Sequence, residues 1–140
     1  MSRTDSGACQ MGNYRLKCME TCEQFDDDYT LHFSDNALIQ AEYQKEFKPI
    51  HAEGVWRYFD WLPAHEISSQ TAGTVTYQAK ELGEKVGLSN LWVAFHGYWP
   101  EKGGICPTGS FKDMEAVPTI QRMKDHSCKG MICASAGNTA

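Results

Sequence analysis

The stretch Pro107-Thr108-Gly109-Ser110-Phe111-Lys112-Asp113, PTGSFKD, and the residues on either side of it decide how this chain folds. Upstream, Leu91-Trp92-Val93-Ala94-Phe95 is a continuous apolar run of strand length, which reads as buried. Downstream, Met131-Ile132-Cys133-Ala134 reads the same way. Between them Phe111, Met114, Val117, Ile120 and Met123 recur every three residues, so a helix over 111–124 keeps an apolar stripe roughly on one side. The order strand, helix, strand predicts an α/β fold with a right-handed parallel crossover. Ligands of open parallel sheets sit outside the carboxyl ends of the strands. Lys112, at the start of the helix, and Asn138, just past the second strand, then share one rim.

Locally, Ser110 suits an N-cap, Asp113 three residues on makes a near capping box, and Gly109 frees the turn before it. Lys112 falls in the first helical turn, where the helix dipole presents partial positive charge to a cation. That potential would also lower an amine's pKa from its usual value of about 10.4, as a nucleophilic lysine needs. On these residues alone the simpler reading is a surface lysine beside a cap, and the nucleophile stays open. Pro118, which lacks an amide donor and crowds the preceding turn, predicts a kink or restart near Thr119.

The 140 residues set a prior of one domain, and a net charge of −5 leaves no basic footprint for nucleic acid or an anionic membrane. No apolar run reaches the roughly 18 residues that span a bilayer, and the start MSRTDSGACQMGN lacks a signal peptide's apolar centre. A cytoplasmic protein is the expectation, with its six cysteines as free thiols.

Residues 1–12 are polar and small and read as a disordered leader; residues 13–50 read as a ribbon-like hairpin plus a helix. In the hairpin, Tyr14–Lys17 and Tyr29–Phe33 flank the acidic run Asp26-Asp27-Asp28. Cys18 and Cys22 have a C-x3-C spacing that zinc ribbons also use, with His32 as a third candidate and Cys9 or Asp35 as a fourth. Reduced thiols in a degenerate ribbon are preferred, and no metal site is assigned. Ser34 is expected to cap a helix through Phe47, with Ile39, Tyr43 and Phe47 at four-residue spacing and Pro49 beyond. Residues 51–140 form the next domain. There Gly54–Pro63, GVWRYFDWLP, concentrates aromatic side chains that should nucleate a core, with Arg57 packed among them. A strand over 74–77 and a helix over 79–86 stopped by Gly87 precede the Leu91 strand, and His96 opens the loop to Gly109.

Four motifs in order carry a family resemblance. PTGSFKD at Pro107–Asp113 and SAGN at Ser135–Asn138 closely resemble the cofactor-lysine and asparagine motifs of fold-type II pyridoxal-phosphate enzymes, of which threonine synthase is the familiar example. GVWRYFDWLP resembles that family's GVWRY motif, and Val86–Val93, VGLSNLWV, resembles its lead-in strand. Gly97–Gly103, GYWPEKG, and Glu115–Gln121, EAVPTIQ, bring the pattern nearer to the cysteate synthase branch.

The resemblance implies the start of a three-layer, tryptophan synthase β-like catalytic domain over 51–140, preceded by a degenerate ribbon-like hairpin. It implies pyridoxal 5′-phosphate as cofactor. Lys112 would be the catalytic lysine holding it as a Schiff base, and Asn138 would hydrogen-bond the ring 3-hydroxyl. Ser135, Gly137 and Thr139 would meet the carboxylate of a small amino-acid substrate, with backbone amides at a helix start suited to an anion. The reaction implied is β-replacement, O-phospho-L-serine plus sulfite giving L-cysteate and phosphate for coenzyme M synthesis. Threonine synthase activity on O-phosphohomoserine is the alternative. Family members are longer and expected to be homo-oligomers, so the chain reads as an inactive N-terminal fragment lacking the phosphate cradle and the ring-nitrogen partner. A truncated paralogue or a ribbon-type binding module are the readings outside catalysis.

Overall fold

The computed structural model describes residues 13–27, 37–134 and 137. The chain divides into two compact units, Met1–Lys48 and Pro49–Ala140.

The first unit is an antiparallel three-stranded sheet. Strand β1 (Tyr14–Cys18) lies between β2 (Gln24–Phe25) and β3 (Ile39–Tyr43). Tyr14 stands opposite Tyr43 with ring centroids 5.7 Å apart. The Lys17 ammonium donates to Glu42 at 2.9 Å, and Gln24 donates to the other oxygen of the same carboxylate, so one side chain ties all three strands. The Lys17 hydrogen bond holds the Glu42 carboxyl below its ordinary pKa.

β3 replaces the helix expected through Phe47. A four-residue spacing of Ile39, Tyr43 and Phe47 satisfies a period of two as well as one of 3.6. The alternation Ile39, Ala41, Tyr43 against Gln40 and Glu42 is the strand's signature, and it prevails because β1 offers a matching edge from Cys18 to Tyr14. The expected partner strand at Tyr29–Phe33 lies outside the described residues, as does Ser34.

The second unit is built on a 3-10 helix at Gly54–Trp61, with a break at Tyr58. Three residues per turn put Trp56, Phe59 and Leu62 in one row. Trp56 and Val55 are buried with Ala64, and Ala52, Phe59, Leu62, Met114 and Val117 pack against them. The aromatic run is therefore core, as its composition suggested. Arg57 corrects that expectation in one respect: it stands on a different row from Trp56 and is exposed.

Strand β4 (Val75–Gln78) pairs antiparallel with β5 (Trp92–Phe95), with Val75 opposite Phe95 and Gln78 opposite Trp92. Helix α1 (Lys80–Val86) joins them and stops at Gly87, φ 74°, where a left-handed residue ends the turn. A hairpin of β6 (Tyr98–Trp99) and β7 (Gly104–Ile105) follows, and Gly73 and Ile105 exchange backbone hydrogen bonds. Helix α2 (Lys112–Asp125) completes the unit. No helix among the described residues is long and apolar enough to cross a membrane.

Mixed strand and helix is what the sequence leads one to expect, but the parallel crossover is not formed: every described strand pair is antiparallel. Met131–Ala134 has no strand structure, and Ile132 is fully exposed. A four-residue apolar run becomes a strand only where a neighbouring edge accepts its amides and carbonyls, and none among the described residues does so. β5 is likewise half-exposed rather than buried, with Trp92 turned to solvent. Pro118 does not break α2. The proline is buried within the continuous helix; its missing amide would have paired with Met114 O, and at the next position the Thr119 hydroxyl donates to Glu115 O at 2.7 Å.

Candidate active site around Lys112

The loop before α2 is fastened at both ends. Cys106 is fully buried, its amide donates to Gly97 O at 3.0 Å, and its thiol donates to Gly73 O at 3.3 Å. Burial pushes that thiol above its ordinary pKa, so it remains a protonated donor. Gly109 N then donates to Cys106 O at 3.0 Å. Pro107 occupies the second position of this turn and Gly109, at φ 72°, the fourth, which are the places where a type I turn favours them.

Asp113 holds the other end. Its carboxylate accepts from Thr108 N at 3.0 Å and from the Thr108 hydroxyl at 2.8 Å. Ser110 contributes its side-chain oxygen to Lys112 N at 3.2 Å and its carbonyl to Asp113 N at 3.2 Å. The predicted capping box is thus modified. Ser110 caps the first turn, but the acidic side chain reaches back to Thr108 instead of to Ser110's own amide, and Phe111 occupies the N-cap position.

This arrangement presents the Lys112 amine at the first turn of α2. Its Nζ donates to the Glu115 carboxylate at 2.5 Å and lies 5.4 Å from the centroid of the Phe111 ring. Asp113 and Glu115 supply negative charge where the helix dipole would otherwise oppose a cation. The lysine side chain remains 32% exposed, so its amine is reachable. His96, the first residue after β5, meets Phe111 edge-on with centroids 5.8 Å apart. That contact sets the carboxyl end of β5 beside the amino end of α2. The described residues therefore bring Lys112, Glu115, Phe111 and His96 into one neighbourhood, without the parallel-sheet rim that the sequence led one to expect.

Ser135, Asn138 and Thr139 lie outside the described residues, so their place beside Lys112 stays an expectation. Gly137 is described, and open space surrounds the position a Cβ would take there. Sequence reasoning missed Glu115 as the partner of Lys112, although their three-residue spacing on a helix is the usual signal for such a pair. It also left His96 unassigned, where its place immediately after a strand is the clue. In the first unit, Cys18 is buried and accepts a weak hydrogen bond from Thr21 N at 3.5 Å, while Cys22 is exposed at φ 60°. Cys9, His32 and Asp35 lie outside the described residues.

Asp113→Ala is expected to lower the stability of the Pro49–Ala140 unit by about 1–2 kcal/mol, since two charge-assisted hydrogen bonds at a solvent-accessible site are lost. Urea unfolding should show a lower midpoint with unchanged slope, and the Thr108 amide should lose protection from hydrogen exchange. An unaltered Thr108 exchange rate would show that the carboxylate does not clamp the loop.

No family model and no solved structure matches the chain. Curated sequences do. The cysteate synthase of Methanosarcina barkeri is 41% identical over 131 residues, 92% of this chain and 32% of the relative. The cysteate synthase of Methanocella arvoryzae is 44% identical over 131 residues, covering 93% of this chain and 31% of the relative. The chain is related to cysteate synthases. A third cysteate synthase, from Methanococcoides burtonii, is 42% identical over 134 residues, again with 93% of this chain and 32% of the relative aligned. The chain thus spans about a third of the length of these cysteate synthase relatives, and the similarity takes in nearly all of it.

The residues present suit a carbonyl-bearing cofactor in one testable respect. A primary amine on a fixed helix turn, reachable from solvent and held by a single surface carboxylate, can exchange that ion pair for a covalent bond without disturbing the core.

Proposed function

We propose that the chain carries the cofactor-lysine part of a pyridoxal-phosphate-dependent cysteate synthase, acting on O-phospho-L-serine and sulfite. The observation that supports this best is the similarity to cysteate synthases along nearly the whole chain, together with an amine at Lys112 on a loop clamped at both ends. Bound pyridoxal phosphate supplies the electron sink that lets a substrate lose its α-proton. Lys112 would hold the cofactor and would serve as the base that takes that proton. Asp113 and Cys106 fix the loop so that the amine returns to one position. The Cβ–O bond of the substrate would break with phosphate leaving, sulfite's sulfur lone pair would form the new Cβ–S bond, and the Lys112 ammonium would return the proton to Cα. Product cysteate would feed coenzyme M synthesis.

These 140 residues alone are expected to hold the cofactor weakly and to turn over no substrate, because the family's phosphate cradle and ring-nitrogen partner are not among the motifs shared here. Covalent trapping separates the cofactor question from turnover. After incubation with pyridoxal phosphate and reduction with borohydride, peptide mapping should find the pyridoxyl group on Lys112 ahead of every other lysine. Lys112→Ala should abolish that adduct and Lys124→Ala should leave it intact. Equal labelling of all lysines, or none at Lys112, would refute the assignment.

A further inference from the structure

Arg57 stands outside the core, and the space beside it has an uncommon lining. A cleft of about 50 Å³ is bordered by Arg57, Thr74, Met114 and the three glycines Gly54, Gly73 and Gly103. At Gly54 and Gly73 the backbones approach closely, whereas Gly103 answers a left-handed turn at φ 85°. A Cβ on Gly73 would stand 3.1 Å from Gly54 Cα and 3.3 Å from Gly103 O, and one on Gly54 would overlap Ala72 O. Val55 and Tyr58 complete the lining, so the polar equipment is backbone, the Tyr58 and Thr74 hydroxyls and the Arg57 guanidinium. Neither the Arg57 nor the Thr74 side chain has a hydrogen-bond or ion-pair partner among the described residues. No carboxylate borders the cleft, in a chain of net charge −5.

We infer that this cleft binds a small inorganic oxyanion, with Arg57 as its cation and Thr74 as a neutral donor. An arginine presents paired N–H groups that match two oxygens of phosphate or sulfite, and a hydroxyl donates to a third. A small cleft with a guanidinium and a hydroxyl at its border suits a compact oxyanion. Met114 belongs to the turn of α2 that follows Lys112, so the bound anion would sit against the same helix that carries the amine. Its meaning for catalysis, as a holding site for sulfite or for released phosphate, rests on the function proposed above; the binding itself does not.

The test uses the 140-residue chain without cofactor, so it reads the cleft whether or not Lys112 takes pyridoxal phosphate. Titrating inorganic phosphate, and separately sulfite, against the isotope-labelled protein at constant ionic strength should give saturable amide shifts at Gly54, Gly73, Thr74 and Gly103. Sodium chloride at the same ionic strength should give none. Arg57→Gln should weaken binding at least tenfold, Arg57→Lys should restore part of it, Thr74→Val should weaken it less than Arg57→Gln does, and Lys124→Gln should change nothing. The exposed position of Arg57 makes a folding defect unexpected, and the dispersion of the variant's own spectrum checks this. Shifts that do not saturate, or that survive undiminished in Arg57→Gln, would overturn the site.

Discussion

Trp56→Ala is expected to unfold the Pro49–Ala140 unit under conditions where the parent chain is folded. Trp56 is 1% exposed and sits at the centre of the only hydrophobic cluster found among the described residues, with Val55, Ala64, Phe59, Leu62, Met114 and Val117 around it. Truncating a buried tryptophan costs about 3–5 kcal/mol through lost transfer energy and the cavity left behind. Its indole N–H also donates to Gln70 O at 2.7 Å, but that carbonyl belongs to an exposed residue and keeps the Ser68 hydroxyl as a donor, so the lost hydrogen bond adds little to the cavity cost. A small domain holds about 5–15 kcal/mol in all, so one residue here commands a large share. Because the change removes a fluorophore, unfolding is best followed by far-UV circular dichroism. Alkylation of Cys106, fully buried in the parent, gives an independent reading. Trp56→Phe, which keeps a ring but loses the donor, should fall between the two. A Trp56→Ala protein with a near-parental urea midpoint and a protected Cys106 would show that the unit does not depend on this cluster.

The same residue shows how far the sequence could be read. Aromatic density at Gly54–Pro63 announced a core, but not its handedness of detail: only the three-residue repeat of a 3-10 helix sorts Trp56 and Phe59 inward and Arg57 outward. Short elements with local signals were legible, among them the strand at Val75–Gln78, the helix stopped by Gly87, and α2 itself. What failed were inferences that needed a partner. Ile39–Tyr43 is a strand because β1 lies beside it, and Met131–Ala134 is not one because nothing described lies beside it. Periodicity reports which face of a segment is apolar; it does not report what faces it. At the candidate site, the place of Lys112 in the first helical turn and the capping by Ser110 were legible, whereas the Asp113–Thr108 clamp and the His96–Phe111 contact depend on how the loop closes in space.

Gly54→Ala should be nearly as damaging as the loss of Trp56, for a different reason. Gly54 adopts φ 56°, and a Cβ placed there would stand 2.3 Å from both Ala72 O and the Thr71 hydroxyl oxygen. The hydroxyl can swing aside, but the carbonyl cannot, since Ala72 O already accepts from Val55 N at 2.6 Å and Ala72 is buried. Relief requires moving the start of the 3-10 helix away from residues 71–73, which pulls Val55 and Trp56 out of register with their neighbours. Left-handed strain contributes about 1–2 kcal/mol and overpacking about 1–3 kcal/mol, so a combined cost of about 2–5 kcal/mol is expected. Gly103→Ala separates the two contributions. Gly103 is also left-handed, at φ 85°, yet nothing lies within 4 Å of its would-be Cβ, so only the backbone strain of about 1–2 kcal/mol applies. The urea midpoint should therefore fall further for Gly54→Ala than for Gly103→Ala, by an amount that corresponds to the overpacking contribution of about 1–3 kcal/mol. Equal shifts would mean that the close approach at Ala72 relaxes freely, and that conformation alone selects glycine at the entrance to this helix.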